Sequence, residues 1–331
     1  MIIEMTIKFD KRYELIFGLL YTVGKKNRHD FPWIKEQNKS YEQEFYEMAQ
    51  KFITHSFEEY ILNGGLSYYE GCCQLASAIN DNYEIIPTPK INTLDQRQEI
   101  NIKRLSDWLQ EFAKKSHYEE FWQNHQPYYE KVKKELEALL NEKRLSFSKV
   151  FSDFYGQQAK PMQIILTNFL WGSFGLELNN TLTFVAGMDL YKNFEFKDSF
   201  IQTLFHEYSH PYVNPLGNKY FSTIEIPNIQ EETIASGLNQ CYFKKETIIN
   251  EYVVRAVEIY LSDKYNEIKD LTKFLEYHKM RGFLHIEELL FLLNNKDKYI
   301  TFEQFYKSEI VPYFINLEER LEKECVRKNT I

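Results

Sequence analysis

The feature that most constrains this chain is the pentapeptide His-Glu-Tyr-Ser-His at residues 206–210, which fits the pattern H-E-x-x-H. Residues four apart lie on one face of an α-helix, so this spacing lets His206 and His210 present two ring nitrogens to one Zn²⁺ ion. Glu207 then projects beside the metal, where it can accept a proton from an attacking water. At the histidine and glutamate content of this chain, the pattern would arise by chance about 0.02 times. The pentapeptide therefore predicts a helical zinc site with Glu207 as the catalytic base.

The residues around the pentapeptide favour a helix that ends early. Asp198 or Ser199 can cap its N-terminus. Four apolar residues then share one helix face: Phe200, Ile201, Leu204 and Phe205. Pro211 follows His210 directly, and proline disfavours helical dihedrals in the residue before it, so we expect the helix to end there and a loop to cover 211–229. The alternative interpretation is a surface helix whose histidines and glutamate face water.

A catalytic zinc site also needs a third protein ligand and an open position. The metzincin pattern would place a glycine and a histidine where this chain has Val213 and Leu216, so that form is excluded. The stretch 246–261 is apolar almost all round, which predicts a buried helix. A glutamate in such a helix is costly unless it is paired or bound to a metal. Glu251 is therefore the predicted third ligand.

The surroundings of Glu251 leave alternatives open. Arg255 follows one turn later on the same helix face, where it can orient the carboxylate or contact a substrate. Glu258 competes as the third ligand, and Glu231 and Glu232 are weaker competitors. A plain ion pair between Glu251 and Arg255 without a metal is the other interpretation. The sequence does not identify the hydrogen-bond donor that would stabilise an oxyanion. The candidates are Tyr212, Tyr220, Tyr299 and Arg255.

The stretch HEYSHPYVNPL (206–216), followed by NEYVVRA (250–256), resembles the gluzincin-type zinc metallopeptidases, where two histidines and a glutamate on a later helix bind zinc. More narrowly, the chain is similar to an uncharacterised bacterial group of zincin-like peptidases known as a domain of unknown function. Members of that group tend to open with D-x-R-x-E-L, here residues 10–15, and to carry a segment like FWQNHQPYYEKV, here residues 121–132. The resemblance implies a zincin-like fold and one Zn²⁺ per chain. It assigns the ligands His206, His210 and Glu251 and the base Glu207.

Composition narrows the class of protein. The chain has 331 residues, of which 44% are hydrophobic and 16% aromatic, enough for a large core. Its 40 Lys and Arg against 48 Asp and Glu give a net charge of −8, which argues against a nucleic-acid binder. No apolar run approaches the roughly 18 residues of a membrane helix, so no membrane insertion is expected. Glu4, Asp10 and Glu14 stand where a signal peptide is positively charged. We expect a cytoplasmic protein, or a secreted one if the N-terminus was trimmed.

The periodicity of apolar residues predicts a mostly helical α+β fold with a small antiparallel sheet. Residues 1–150 are expected to form a helical N-terminal region. Residues 151–331 are expected to form a zincin-like metallopeptidase region with the sheet, the zinc helix and C-terminal helices. The sheet should contain a strand near 161–167 and a hairpin whose second strand is 181–187. That second strand either offers a free edge to an extended peptide or is paired on both sides.

The leading hypothesis is a zinc-dependent hydrolase, a metallopeptidase that cleaves peptide bonds with a metal-activated water. Its partner would be a peptide or protein substrate. A second hypothesis is a zinc-binding protein of the same fold that does not cleave peptides and acts as a binding or regulatory module. The third is a metal-free helical interaction protein in which H-E-x-x-H is coincidental.

Overall fold

A computed structural model gives the architecture of the protein. It describes residues 5–34, 39–66, 69–87, 102–187, 197–236 and 244–328. The chain divides into two compact units. The sheet unit comprises the described residues within Ile3–Leu145 and Pro161–Phe194, and the helical unit comprises those within Ser146–Lys160 and Glu195–Ile331. We describe each unit by itself.

The sheet unit combines helices with one small sheet. Its helices are α1 (Lys11–Asn27), α2 (Lys39–Ala49), α3 (His55–Tyr60, continued by a π-helical turn, Ile61–Gly65), α4 (Tyr69–Ala78), α5 (Ile102–Lys115), α6 (Tyr118–Asn124) and α7 (Gln126–Lys143). Its strands are β1 (Thr6–Phe9), β2 (Met162–Thr167), β3 (Ser173–Leu178) and β4 (Thr181–Gly187). Helix α1 is buried along most of its length, and Asp10 caps it by accepting a hydrogen bond from the backbone N–H of Arg12.

The sheet is mixed, whereas the sequence predicts an antiparallel one. Its strand order is β1-β2-β4-β3, with β2 parallel to both β1 and β4 and with β3 antiparallel to β4. The predicted hairpin of β3 and β4 is present, and Asn179 and Asn180 form its turn with φ angles of 49° and 61°. Strand β1 was not predicted, because it pairs with residues about 150 positions away. Strand β4 is paired on both sides, so the free edge considered for 181–187 does not exist.

The helical unit contains the H-E-x-x-H motif. Its helices are α8 (Phe147–Tyr155), α9 (Lys197–Phe221), α10 (Pro227–Ala235), α11 (Lys245–Lys264), α12 (Leu271–Met280), α13 (Ile286–Leu293), α14 (Phe302–Phe305) and α15 (Val311–Lys328). A 3₁₀ turn (Lys296–Lys298) precedes α14, and a π-helical segment (Tyr306–Ile310) joins α14 to α15. Helix α11 is buried nearly all round, as its sequence predicts. The mostly helical α+β class is therefore confirmed.

The helix with the H-E-x-x-H motif does not end at Pro211, and the prediction of a loop from that residue was wrong. Helix α9 continues through Pro211 and Pro215 to Phe221. Proline disfavours this conformation but does not forbid it, and packing decides the outcome here. Tyr212, one residue past Pro211, is buried and stacks on Tyr155 of α8 with ring centroids 4.1 Å apart. The buried aromatic face of the helix thus extends beyond the first proline.

The two units do not follow the predicted boundary at residue 150. The strands belong with the N-terminal helices, because β1 and β2 are hydrogen-bonded to each other. Helix α8 belongs instead with α9, since Phe151 lies against Tyr208 with ring centroids 6.0 Å apart. Within the part of the chain that the structure describes, no helix is both long and apolar enough to cross a membrane.

Candidate metal centre

Helices α9 and α11 of the helical unit bring together the three residues that the sequence predicts as ligands. The Nε2 atoms of His206 and His210 lie 3.2 Å apart. Glu251 Oε1 lies 3.5 Å from His210 Nε2, and Glu251 Oε2 lies 3.9 Å from His206 Nε2. One donor atom from each residue can be chosen so that all three lie within 4.8 Å of one another. Two nitrogens and a carboxylate therefore face one small volume.

The spacing of these atoms suits a tetrahedral cation. Ligand atoms about 2.0–2.2 Å from a tetrahedral ion lie about 3.3–3.6 Å from each other. The distance between the histidine nitrogens, 3.2 Å, and that between His210 and Glu251, 3.5 Å, are close to this range. The distance between His206 and Glu251, 3.9 Å, is wider.

The other ring nitrogen of each histidine has a hydrogen-bond acceptor. His206 Nδ1 lies 2.9 Å from Glu258 Oε2, and His210 Nδ1 lies 3.2 Å from Asn214 Oδ1. An ionised carboxylate and an amide oxygen accept hydrogen bonds, so these two contacts favour the tautomer in which each Nδ1 atom carries the proton. Both Nε2 atoms then direct lone pairs towards the volume that they share with Glu251. This tautomer is the one in which histidine binds a metal through Nε2.

Glu251 is held in place by Arg255, one turn later on α11. Arg255 Nη2 lies 3.1 Å from Glu251 Oε2, and both side chains are buried. The guanidinium also lies over the ring of Phe283, with its Cζ atom 4.6 Å from the centroid. The sequence-based expectation that Arg255 orients the carboxylate agrees with this contact.

The electrostatic environment favours the protonation states that metal ligands need. Burial lowers the pKa of His206 well below its usual value, and the positive charge of Arg255 lowers it further. Burial alone would raise the pKa of Glu251, but its pairing with the His210 ring in its protonated form and with Arg255 outweighs burial and holds this pKa below its usual value. Burial raises the pKa of Glu258 despite the nearby positive charges. His206 is therefore neutral and Glu251 ionised near neutral pH.

Glu207 lies next to His206 on α9 and is buried. Its position is three residues before His210, so helix geometry directs both side chains to neighbouring parts of the helix surface. The predicted base is therefore on the helix that carries both histidines predicted as ligands.

The competing ligands lie elsewhere. Glu258 binds the far nitrogen of His206 instead of facing the shared volume. Glu232 lies 2.7 Å from His285 Nε2, and Glu231 is exposed on α10. These contacts leave Glu251 as the carboxylate that faces both histidines.

The tyrosines considered as oxyanion donors have other contacts. The hydroxyl of Tyr220 donates to Glu303 at 3.1 Å, and that of Tyr299 donates to Glu309 at 2.6 Å. Tyr212 is buried with its ring against Tyr155. None of these three contacts is with a residue of the candidate metal centre.

Three residues near the centre were not predicted from the sequence. Asn214 lies four residues after His210. This spacing predicts contact on a helix, but the sequence-based prediction ended the helix at Pro211. His278 of α12 is buried, and burial lowers its pKa to about 4 although the charge of Glu258 opposes this shift. The positive charge of Arg281 helps to lower the pKa of His278 and of Glu251. No local pattern marks His278 or Arg281, because tertiary packing brings them here.

Comparison with known proteins adds a family without an assigned function. The profile described as "Domain of unknown function (DUF4932)" matches residues 91–312, about two thirds of the chain. The matched segment includes both histidines of the motif, Glu207, Glu251 and Arg255. No curated protein and no solved structure matches the chain.

Proposed function

The chain belongs to the family of the domain of unknown function DUF4932, and we propose that it is a zinc-dependent hydrolase that cleaves peptide bonds. The observation that carries the proposal is the convergence of His206, His210 and Glu251 from two helices on one small volume. The same three residues are the ligands that the resemblance to gluzincin-type metallopeptidases implies. Glu207, the base implied by that resemblance, lies beside the first of them.

The chemistry of the donors supports zinc as the metal. Two imidazoles and one carboxylate form a ligand set that catalytic zinc sites use, with a fourth position left for water or substrate. Zinc in such a site lowers the pKa of a water molecule towards about 7 and polarises the carbonyl group of a substrate.

Residues of the chain perform the remaining tasks. The carboxylate of Glu207 accepts the proton of the attacking water and returns it to the amine that leaves. Glu258 and Asn214 fix the ring orientation and the tautomer of His206 and His210 through their Nδ1–H groups. Arg255 fixes the carboxylate of Glu251. A peptide or protein is the proposed substrate, because this division of tasks suits hydrolysis of an amide.

The test combines metal content with turnover. Protein purified without chelator should contain one zinc per chain and should cleave members of a mixed peptide library. Glu207→Gln should keep the zinc and lose at least about a hundredfold of the activity, because general-base catalysis contributes about 10²–10⁴-fold. The matched control is Glu276→Gln, which changes an exposed carboxylate of α12 and should leave turnover unchanged.

The outcomes separate the hypotheses. Full activity of Glu207→Gln would remove the mechanism. Stoichiometric zinc without turnover on any peptide would favour a zinc-binding module instead. Absence of zinc from the purified protein, with no zinc uptake after dialysis, would refute the proposal.

A further inference from the structure

Glu251 poses an electrostatic problem that the metal alone does not solve. It is buried, and a buried carboxylate without a positive partner strongly destabilises a protein. A folded chain without a metal has no ion to balance this charge. Some group of the protein has to balance it in that state.

Arg255 has the geometry for this role. Its Nη2 atom is 3.1 Å from Glu251 Oε2, and it lies on the same buried helix one turn away. Phe283 lies against the guanidinium, with 4.6 Å between Cζ and the ring centroid, so the charged group is packed in place. Arginine stays charged at any pH at which proteins fold.

The two oxygens of Glu251 have different neighbours. Oε1 lies 3.5 Å from His210 Nε2, whereas Oε2 lies 3.1 Å from Arg255 Nη2 and farther, at 3.9 Å, from His206 Nε2. An ion bound between the histidines can therefore use Oε1 while Arg255 keeps Oε2. The carboxylate then serves as a ligand through a single oxygen.

We infer that Arg255 is a positioning residue whose positive charge balances the Glu251 carboxylate in the metal-free protein, as the metal ion does in the loaded protein. It stays in contact with Oε2 of Glu251, so that only Oε1 binds the ion. The inference rests on the proposed metal site and concerns how that site depends on metal supply. The protein folds without zinc, and its site is formed before the ion arrives. The cost is repulsion between the guanidinium and the ion, which weakens metal binding. Occupancy then follows the availability of zinc.

The experiment compares metal-free and zinc-loaded protein in four versions of the full chain. Arg255→Met removes the charge and keeps an apolar side chain on Phe283, Arg255→Gln removes the charge and keeps hydrogen-bond donors, and Arg255→Lys keeps the charge. The matched control is Arg320→Met, which removes an exposed arginine that binds Glu288 with two contacts of 2.9 Å. Thermal unfolding is followed by circular dichroism, and zinc affinity is measured by competition with a chromophoric chelator.

Arg255→Met should lower the unfolding midpoint of the metal-free protein by about 10 °C and that of the zinc-loaded protein by about 3 °C. By linkage, its zinc Kd should fall about a hundredfold. Arg255→Gln should change in the same direction, whereas Arg255→Lys should keep a zinc Kd within about threefold of the wild type. In Co²⁺-loaded protein, loss of Arg255 should reduce the intensity of the visible absorption band, because Glu251 then binds through both oxygens and raises the coordination number.

Several results would overturn the inference. Equal loss of stability in metal-free and loaded Arg255→Met would indicate a packing role alone. A weaker zinc affinity in both Arg255→Met and Arg255→Gln would contradict the competition between guanidinium and ion. Should Arg255→Met fold only in the presence of zinc, the inference is supported. Zinc binding without peptide hydrolysis would refute the proposed enzyme and leave the role of Arg255 intact.

Discussion

Gly217 of α9 and Asn250 of α11 face each other at a point where the two helices approach closely. A Cβ atom built on Gly217 would lie 1.8 Å from Asn250 Oδ1 and 2.8 Å from its Cγ atom. Asn250 directly precedes Glu251, so the two helices approach closely next to the residue that carries the carboxylate of the candidate metal centre. A glycine within a helix costs about 1 kcal/mol relative to alanine, and close helix packing accounts for it here.

Gly217→Ala should therefore separate α9 from α11 near the metal centre. We expect zinc affinity to fall at least about tenfold and the free energy of unfolding to fall by about 1–3 kcal/mol, because the new methyl group overpacks the contact. Isothermal titration with zinc and chemical denaturation measure the two effects.

The double variant Gly217→Ala, Asn250→Ala is the matched control for that change, since the three atoms nearest to the added Cβ all belong to the side chain of Asn250. It should recover most of the zinc affinity. Failure of this rescue, with a folded protein, would show that the helices are not held apart by this pair.

Glu258 should act on the metal through His206. A residue that accepts a hydrogen bond from a metal-binding histidine typically contributes 10–100-fold to metal affinity. Glu258→Ala should weaken zinc binding by about that factor, and Glu258→Gln should weaken it less because its amide oxygen still accepts from Nδ1. Asn214→Ala should have a smaller effect than Glu258→Ala, since a neutral acceptor polarises the ring less. Chelator competition measures each Kd, with Glu276→Gln as the surface control. Unchanged affinity in Glu258→Ala would mean that His206 is not a ligand.

The sequence was sufficient to bring His206, His210 and Glu251 into one hypothesis, for two local reasons. Residues four apart share a helix face, and a glutamate in a helix that is apolar all round needs a partner. The sequence favoured Glu251 as the ligand, but Glu258 stayed open as a competitor because it lies seven residues later on the same face of α11. In the structure the Glu251 carboxylate lies against the Nε2 atoms of both histidines, whereas Glu258 Oε2 lies 2.9 Å from His206 Nδ1.

Other features depend on contacts that have no local signal. Strand β1 pairs with β2 across about 150 residues, so its four residues could not be predicted as a strand from their neighbours. Asn214 was missed for the opposite reason, because a local rule about proline was given too much weight. The buried packing of Tyr212 keeps α9 helical and places Asn214 beside His210.

Glu14 of α1 should make the stability of the sheet unit depend on pH. It is fully buried, it accepts from the backbone N–H of Asn168 at 2.8 Å and from the hydroxyl of Tyr41 at 3.2 Å, and that hydroxyl lies 2.6 Å from the one of Tyr129. Burial raises its pKa from 4.5 to about 8, and these hydrogen bonds only partly oppose the shift. The folded state therefore binds a proton more tightly than the unfolded state does.

Because folding raises the carboxyl pKa, the contribution of Glu14 to the free energy of unfolding is fully present below pH 4.5. This contribution is lost as the pH rises through about 8. We expect the free energy of unfolding to fall by a few kcal/mol, on the order of 1.4 kcal/mol per pH unit, across that interval. Glu14→Gln should flatten this slope in urea denaturation curves taken between pH 5 and 9. Glu44→Gln, which changes an exposed residue, is the control. An unchanged slope in Glu14→Gln would contradict the assignment.

Pro211→Ala should stabilise the protein. Proline at 211 has no N–H to donate to the carbonyl of Glu207 four residues earlier, and its ring crowds that carbonyl, so a helix with proline inside loses about 3 kcal/mol. Alanine recovers only part of this free energy, because proline also restricts the unfolded chain and so favours folding of the wild type. The free energy of unfolding of Pro211→Ala, measured by chemical denaturation, should therefore rise by about 1–2 kcal/mol. Pro227→Ala is the matched control, since Pro227 lies in the first turn of α10 where no helical partner is lost, and it should bring no gain. A loss of stability in Pro211→Ala would contradict this prediction and would mean that the backbone after His210 prefers proline.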